Sequence, residues 1–139
     1  MRRVLTLIIA GAISYNAQAQ RNITNDPYRS GIASFYHNKF EGRKTANGEI
    51  FDNDKFTAAS NTLKLGTYVK VTNLANNEFV YVKINDRMAV TNKRLIDLAK
   101  VAARELNFVK KGLAKVKVEI VPKEEGRDGV LAQNERISK

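Results

Sequence analysis

The stretch Phe79-Val80-Tyr81-Val82-Lys83-Ile84-Asn85-Asp86-Arg87 decides how this chain folds. Five of its first six residues are β-branched or aromatic, so it reads as a buried strand running without a break into a polar end. A carboxylate at the mouth of an apolar strand has to be hydrogen-bonded, ion-paired or held protonated, and the last of these is how general acids are made. Asp86 is therefore the first candidate for chemistry; the structural alternative is a pair with Arg87 or a turn cap after Asn85.

Working outward, Leu63-Lys64-Leu65-Gly66-Thr67-Tyr68-Val69-Lys70-Val71-Thr72-Asn73 alternates apolar and polar, and Asn76-Asn77 separates it from the first stretch. The two form a β-hairpin. Earlier, Gly31-Ile32-Ala33-Ser34-Phe35-Tyr36 is a further strand, and Phe56-Thr57-Ala58-Ala59-Ser60, short, small and apolar, suits tight packing in a crowded barrel interior. Between them the block at residues 40–49, with two glycines and an Asn-Gly pair, is a surface loop of the kind that carries sites. Downstream, Asp97 is placed to cap a short helix with Leu98, Val101, Ala102 and Leu106 on one face. Ala114-Lys115-Val116-Lys117-Val118-Glu119-Ile120-Val121 alternates strictly and supplies a last strand. From Pro122 glycines and charges dominate, which predicts a flexible tail over 122–139. About six short strands around one or two short helices cannot leave edges bare, so the expected fold is mainly β and closed into a small barrel.

The chain has 139 residues and two prolines, enough for one core and not for two. Its first nineteen residues differ in kind: Arg2-Arg3, an apolar run from Val4 to Ile13, and Ala17-Gln18-Ala19 read as a cleaved signal peptide. The run is about ten residues, half of what a membrane span needs. Residues 20–30 are then a flexible lead-in and residues 31–121 the domain. Without Arg2 and Arg3 the net charge falls from +10 to +8, so anionic envelope polymers are the expected partners rather than nucleic acid. The chain lacks cysteine, which leaves no disulfide and no acylated N-terminal thiol; a free monomer, periplasmic or secreted and not lipid-anchored, is expected. With one histidine and no thiol a Cys/His zinc site cannot be assembled, and neither metal nor cofactor is expected. His37 follows Phe35-Tyr36 with no serine elbow nearby, which argues against a Ser-His-Asp triad.

Gly31 to Tyr36, Gly42-Arg43-Lys44-Thr45-Ala46-Asn47-Gly48-Glu49, Thr57-Ala58-Ala59, the hairpin strands through Arg87, and Ile96-Asp97-Leu98 together resemble the rare lipoprotein A family, in the right order and over residues 31–121. The resemblance implies a six-stranded double-psi β-barrel, the architecture of expansins and barwin-like proteins. It also implies a periplasmic endolytic lytic transglycosylase that cuts peptidoglycan glycan strands, preferring strands without stem peptides, and leaves 1,6-anhydromuramoyl ends. By position, the family's catalytic acid falls on Asp86 and a second functional carboxylate on Glu49. Three features depart from the family: Ser60 stands where it has a groove histidine, Met88-Ala89 replace Gly-Pro after the Asp-Arg pair, and the lipid-bearing cysteine and C-terminal glycan-binding repeat are missing.

Lytic cleavage uses the sugar's own C6 hydroxyl as nucleophile, so one carboxyl can serve as acid and then base, unlike the paired carboxylates of most glycosidases. Asp86 fits that role and Glu49 an assisting one. Arg43, Lys44 and Arg87 suit the anionic lactyl groups of the glycan, and Thr45 and Ser60 complete the expected substrate contacts. A serine cannot carry a proton as imidazole does, so the alternative function is a non-catalytic, expansin-like peptidoglycan-binding module. Phe35, Tyr36, Phe40 and Tyr81 are expected in the core rather than stacked on sugars.

Overall fold

In the computed structural model, residues 28–139 are described, and the signal peptide expected at residues 1–19 lies outside them. Six strands close a barrel: β1 (Tyr28–Phe35), β2 (Thr57–Ala59), β3 (Tyr68–Asn73), β4 (Phe79–Asp86), β5 (Ile96–Leu98) and β6 (Ala114–Val121). Their spatial order is β1-β5-β2-β4-β3-β6. The β1–β5 and β2–β4 pairs are parallel and the rest antiparallel, so the loops that join them must cross the barrel ends.

Alternation fills the interior. Val69 and Val71 of β3, Val80, Val82 and Ile84 of β4, and Val116 and Val118 of β6 point inward and are sealed from solvent. Ile96, Leu98 and Ala58 complete the layer, and Leu106 and Phe108 close one end. The hairpin turns at Asn77, in the left-handed conformation (φ 62°) that asparagine tolerates.

Four expectations need correction. β1 begins at Tyr28 rather than at Gly31, because eight-residue β6 continues to pair with Tyr28, Arg29 and Ser30 through backbone groups that ignore side-chain polarity. The run starting at Leu63 becomes a strand only at Tyr68, after Gly66 turns the chain at φ +90°. Asp97 does not cap a helix: it lies within β5, and the short α1 (Lys100–Glu105) is capped by Asn53, whose Oδ1 accepts from the Lys100 N–H at 2.7 Å.

The tail is the fourth. Lys123–Ile137 forms α2, fifteen residues long, packed across β4 and β3, so the helices are not all short. Its glycines are contact points: a Cβ on Gly126 would lie 2.1 Å from Tyr68 Cβ, and one on Gly129 2.3 Å from Tyr81 Cδ2. Short β2 covers β4 only along Lys83 to Asp86, leaving the Tyr81 main chain on that edge without a strand. The Gln133 side-chain amide takes its place, its Oε1 accepting from Tyr81 N–H (2.7 Å) and its Nε2 donating to Tyr81 O (2.9 Å). Glu125 accepts from the Tyr81 hydroxyl, and Arg136 pairs with Glu105.

Candidate active site

Register explains how Asp86 reaches solvent. Strict alternation after Val80, Val82 and Ile84 would turn residue 86 into the barrel. Ala58 pairs with Ile84, however, while Ala59 pairs with Asp86, so Asn85 is the extra residue of a bulge. The bulge reverses the parity, buries Asn85 and turns Asp86 outward.

Three donors hold the carboxylate there. Tyr36 Oη donates to Oδ2 at 2.6 Å, and the main-chain N–H groups of Ala46 and Arg87 both donate to Oδ1 at 2.9 Å. The Tyr36 ring stacks on Phe51 with centroids 4.1 Å apart and meets Phe40 edge-on, so its hydroxyl has a fixed aim. Burial, reinforced by the bond to Asp86, pushes the Tyr36 phenol far above its ordinary range and keeps it a donor.

The loop at 42–50 is folded so as to present Ala46. Gly48 adopts φ +91°, the Gly48 N–H donates to Thr45 O, and the Asn47 N–H donates to Asn85 O. Thr45 is buried, its hydroxyl donating to Asn47 Oδ1 at 2.7 Å. Asn47 Nδ2 in turn donates to Glu49 Oε1 at 2.6 Å. That bond, more than Lys83 3.7 Å away, holds the Glu49 carboxyl below the usual range.

A cleft of about 500 Å³ opens beside Asp86. Tyr36, His37 and Phe40 form one wall, Arg87, Met88 and Ala89 another, and Arg94 and Asp97 a third. Ala59 lies between the two carboxylates: it pairs with Asp86 of β4 on one side and with Asp97 of β5 on the other. His37 is exposed, and its Nδ1 accepts from the Lys39 N–H at 3.0 Å, so the neutral ring carries its hydrogen on Nε2 and offers a donor. A depression of about 550 Å³ beside the β3–β4 turn is as large, but Leu74, Phe108, Leu113 and side-chain amides line it and no carboxylate does.

Of the residues singled out from sequence, Asp86 and Arg87 line the cleft; Glu49, Arg43, Lys44, Thr45 and Ser60 do not. Ser60 is corrected outright as a substrate contact, because it is 0% exposed and its Oγ accepts from the N–H groups of Thr62 and Leu63 at 3.2 Å. Thr45 is spent on its own turn. Arg87 faces inward with one nitrogen, Nη1 donating to the Ser60 and Leu63 carbonyls at 2.5 and 2.7 Å. Sequence reasoning missed the Tyr36 hydroxyl, expected in the core, and Asp97, taken for a cap. Tyr36 directly follows β1 and Asp97 is the central residue of β5, and parallel pairing of β1 with β5 brings both to one mouth.

Three comparisons bear on this geometry. The family model described as lytic transglycolase matches residues 28–118. The endolytic peptidoglycan transglycosylase RlpA of Pasteurella multocida is 45% identical over 113 residues, covering 81% of this chain and 38% of that protein. That of Haemophilus influenzae is 48% identical over 91 residues, covering 66% and 32%. The chain thus spans about a third of the length of these relatives. An expansin from Clavibacter michiganensis, solved with cellohexaose, superposes with a TM-score of 0.55 at 17% identity over 68% of this chain and 50% of that one, a likeness of fold.

Proposed function

Because the chain belongs to the lytic transglycolase family, a double-psi β-barrel family whose model covers five of its six strands fully and most of the sixth, we propose that it is an endolytic transglycosylase. It acts outside the cytoplasm on peptidoglycan glycan strands, with strands free of stem peptides preferred. The observation that carries this reading is the Asp86 carboxylate, oriented by Tyr36 Oη and two main-chain N–H groups at the edge of an open cleft.

In the reaction, the Asp86 carboxyl gives its proton to the glycosidic oxygen as the bond to the anomeric carbon breaks. The C6 hydroxyl of the same sugar attacks that carbon, and its proton returns to Asp86. The carboxyl ends as it began, the leaving strand has gained a hydroxyl, and the muramoyl end is a 1,6-anhydro ring. Tyr36 orients the group throughout and, with its phenol raised, does not compete as an acid. Glu49 acts one step away: with Asn47 it holds the turn that aims Ala46 N–H at Asp86.

Incubating the chain with denuded glycan strands and analysing the products by mass spectrometry tests the proposal. Anhydro-ended fragments that disappear in Asp86→Asn are expected; no such fragments from a folded wild-type protein would overturn it. A second reading, a non-catalytic wall-binding module, is favoured by Ser60, whose buried hydroxyl supplies no proton to the cleft. Retention on insoluble sacculi by both wild type and Asp86→Asn, with no product from either, supports that reading.

A further inference from the structure

Resting on the glycan-cleft reading above, the geometry points to Arg94 as the residue that distinguishes stem-peptide-free strands, by binding the lactyl carboxylate that exists only once the peptide amide is gone. A muramoyl unit bearing a stem peptide has this group tied up as an amide, whereas a denuded unit presents an anion. Discrimination therefore requires a cation in the cleft with a fixed fork, since a guanidinium meets a carboxylate in two parallel bonds.

Three cationic side chains, Lys39, Arg87 and Arg94, line the cleft against the carboxylates Asp86 and Asp97. Arg87 is committed through Nη1 to the Ser60 and Leu63 carbonyls. Lys39 lies near the Phe40 ring on a long flexible stem. Arg94 is different. Its Nε and Nη2 donate to Asp97 Oδ1 and Oδ2 at 2.8 and 3.0 Å, which fixes the plane of the guanidinium.

The Arg94 side chain is 39% exposed and that of Asp97 17%, so the pair is seated at Asp97 and open at the arginine, with Nη1 outside the bidentate contact. Its main chain is anchored too: Arg94 N–H donates to Asn92 Oδ1 and Leu95 N–H to Ile32 O. Asp97 favours the protonated guanidinium while offsetting its charge, so recognition rests on the donors that Asp97 leaves free. Asp97 and Asp86 sit in one row across Ala59, two strand spacings or roughly 10 Å between Cα atoms. A single sugar with its bond to be broken at Asp86 and its lactyl arm turned toward β5 bridges that gap. Asp97 is then a positioning residue and Arg94 a specificity residue.

Binding separates this inference from the proposed reaction, because it needs no turnover. Denuded strands, and the same strands with their lactyl carboxylates converted to primary amides by carbodiimide and ammonia, are titrated calorimetrically into wild type, Arg94→Gln, Arg94→Lys and Asp97→Asn. Wild type is expected to bind the free-carboxylate strands about tenfold more tightly than the amidated ones. Arg94→Gln loses that ratio, so both strands bind alike, while Arg94→Lys and Asp97→Asn keep part of it. A merely structural loss weakens both strands equally and leaves the ratio in place. An Arg94→Gln protein, or an Arg94→Lys protein if the first fails to fold, that retains the full wild-type ratio overturns the inference, as does a wild type that binds both strands equally. Absence of anhydro products alongside a ratio that depends on Arg94 sinks the reaction and leaves the specificity residue standing.

Discussion

Strand β4 carries two tyrosine-linked clusters that contrast along its length. At its end, Asp86 is bonded to Tyr36 and left open to a cleft; at its middle, half-buried Tyr81 is bonded to α2 through Gln133 and Glu125 and packed against Gly129. Both satisfy polar groups on the same strand. The first directs its donors at a carboxylate that remains accessible, and the second consumes its bonds in closing a sheet edge. The two clusters thus differ in what their bonds hold, a carboxylate beside a cleft in one and a sheet edge under a helix in the other.

The contrast can be broken from either end. Asp86→Asn should remove about 10² to 10⁴ of the cleavage rate, read by anhydro-sugar release, while the thermal midpoint stays near wild type. Gly129→Ala acts in reverse: with a Cβ 2.3 Å from the Tyr81 ring, α2 has to lift, and denaturant titration should show a loss of roughly 1–3 kcal/mol with the rate at low temperature retained. Gln133→Ala leaves the Tyr81 N–H and C=O without partners on that edge and should cost about 1–3 kcal/mol, measured the same way. Tyr36→Phe removes one of three donors to Asp86 and should lower the rate about tenfold with little change in stability.

The smallest effect belongs to Glu49. Its folded-state carboxyl lies below its unfolded value, so the contribution to stability is present above the unfolded pKa and is lost as pH falls through the folded one. Because the side chain is 47% exposed the effect on stability is slight, and NMR titration is the sensitive readout. Asn47→Ala, which removes the main cause, should move that titration up toward the ordinary glutamate range.

Much of the barrel was legible because β3, β4 and β6 alternate over six to eight residues, and one face of each had to be buried. The candidate acid was legible for a related reason, a carboxylate at the end of an apolar run. Less legible was everything that depends on pairing. Asp97 resembles a helix cap in the sequence, and it becomes a cleft residue because Ala59 takes Asp97 on one side and Asp86 on the other. Gly126 and Gly129 resemble breakers, and they become the closest contacts of a helix because two tyrosines stand opposite. Ser60 sits beside the site in sequence yet is buried under it, since the turn at residues 60–63 needs its hydroxyl.

By itself, then, the sequence determined the longer strands, that they enclose one core, and that Asp86 follows an apolar run, because side-chain periodicity is a local property. Tertiary structure alone decided which way Asp86 points, through one extra residue at Asn85, and which groups meet it there. Those depend on register between strands distant in the chain, and a shift of a single residue exchanges the inside of a barrel for its surface.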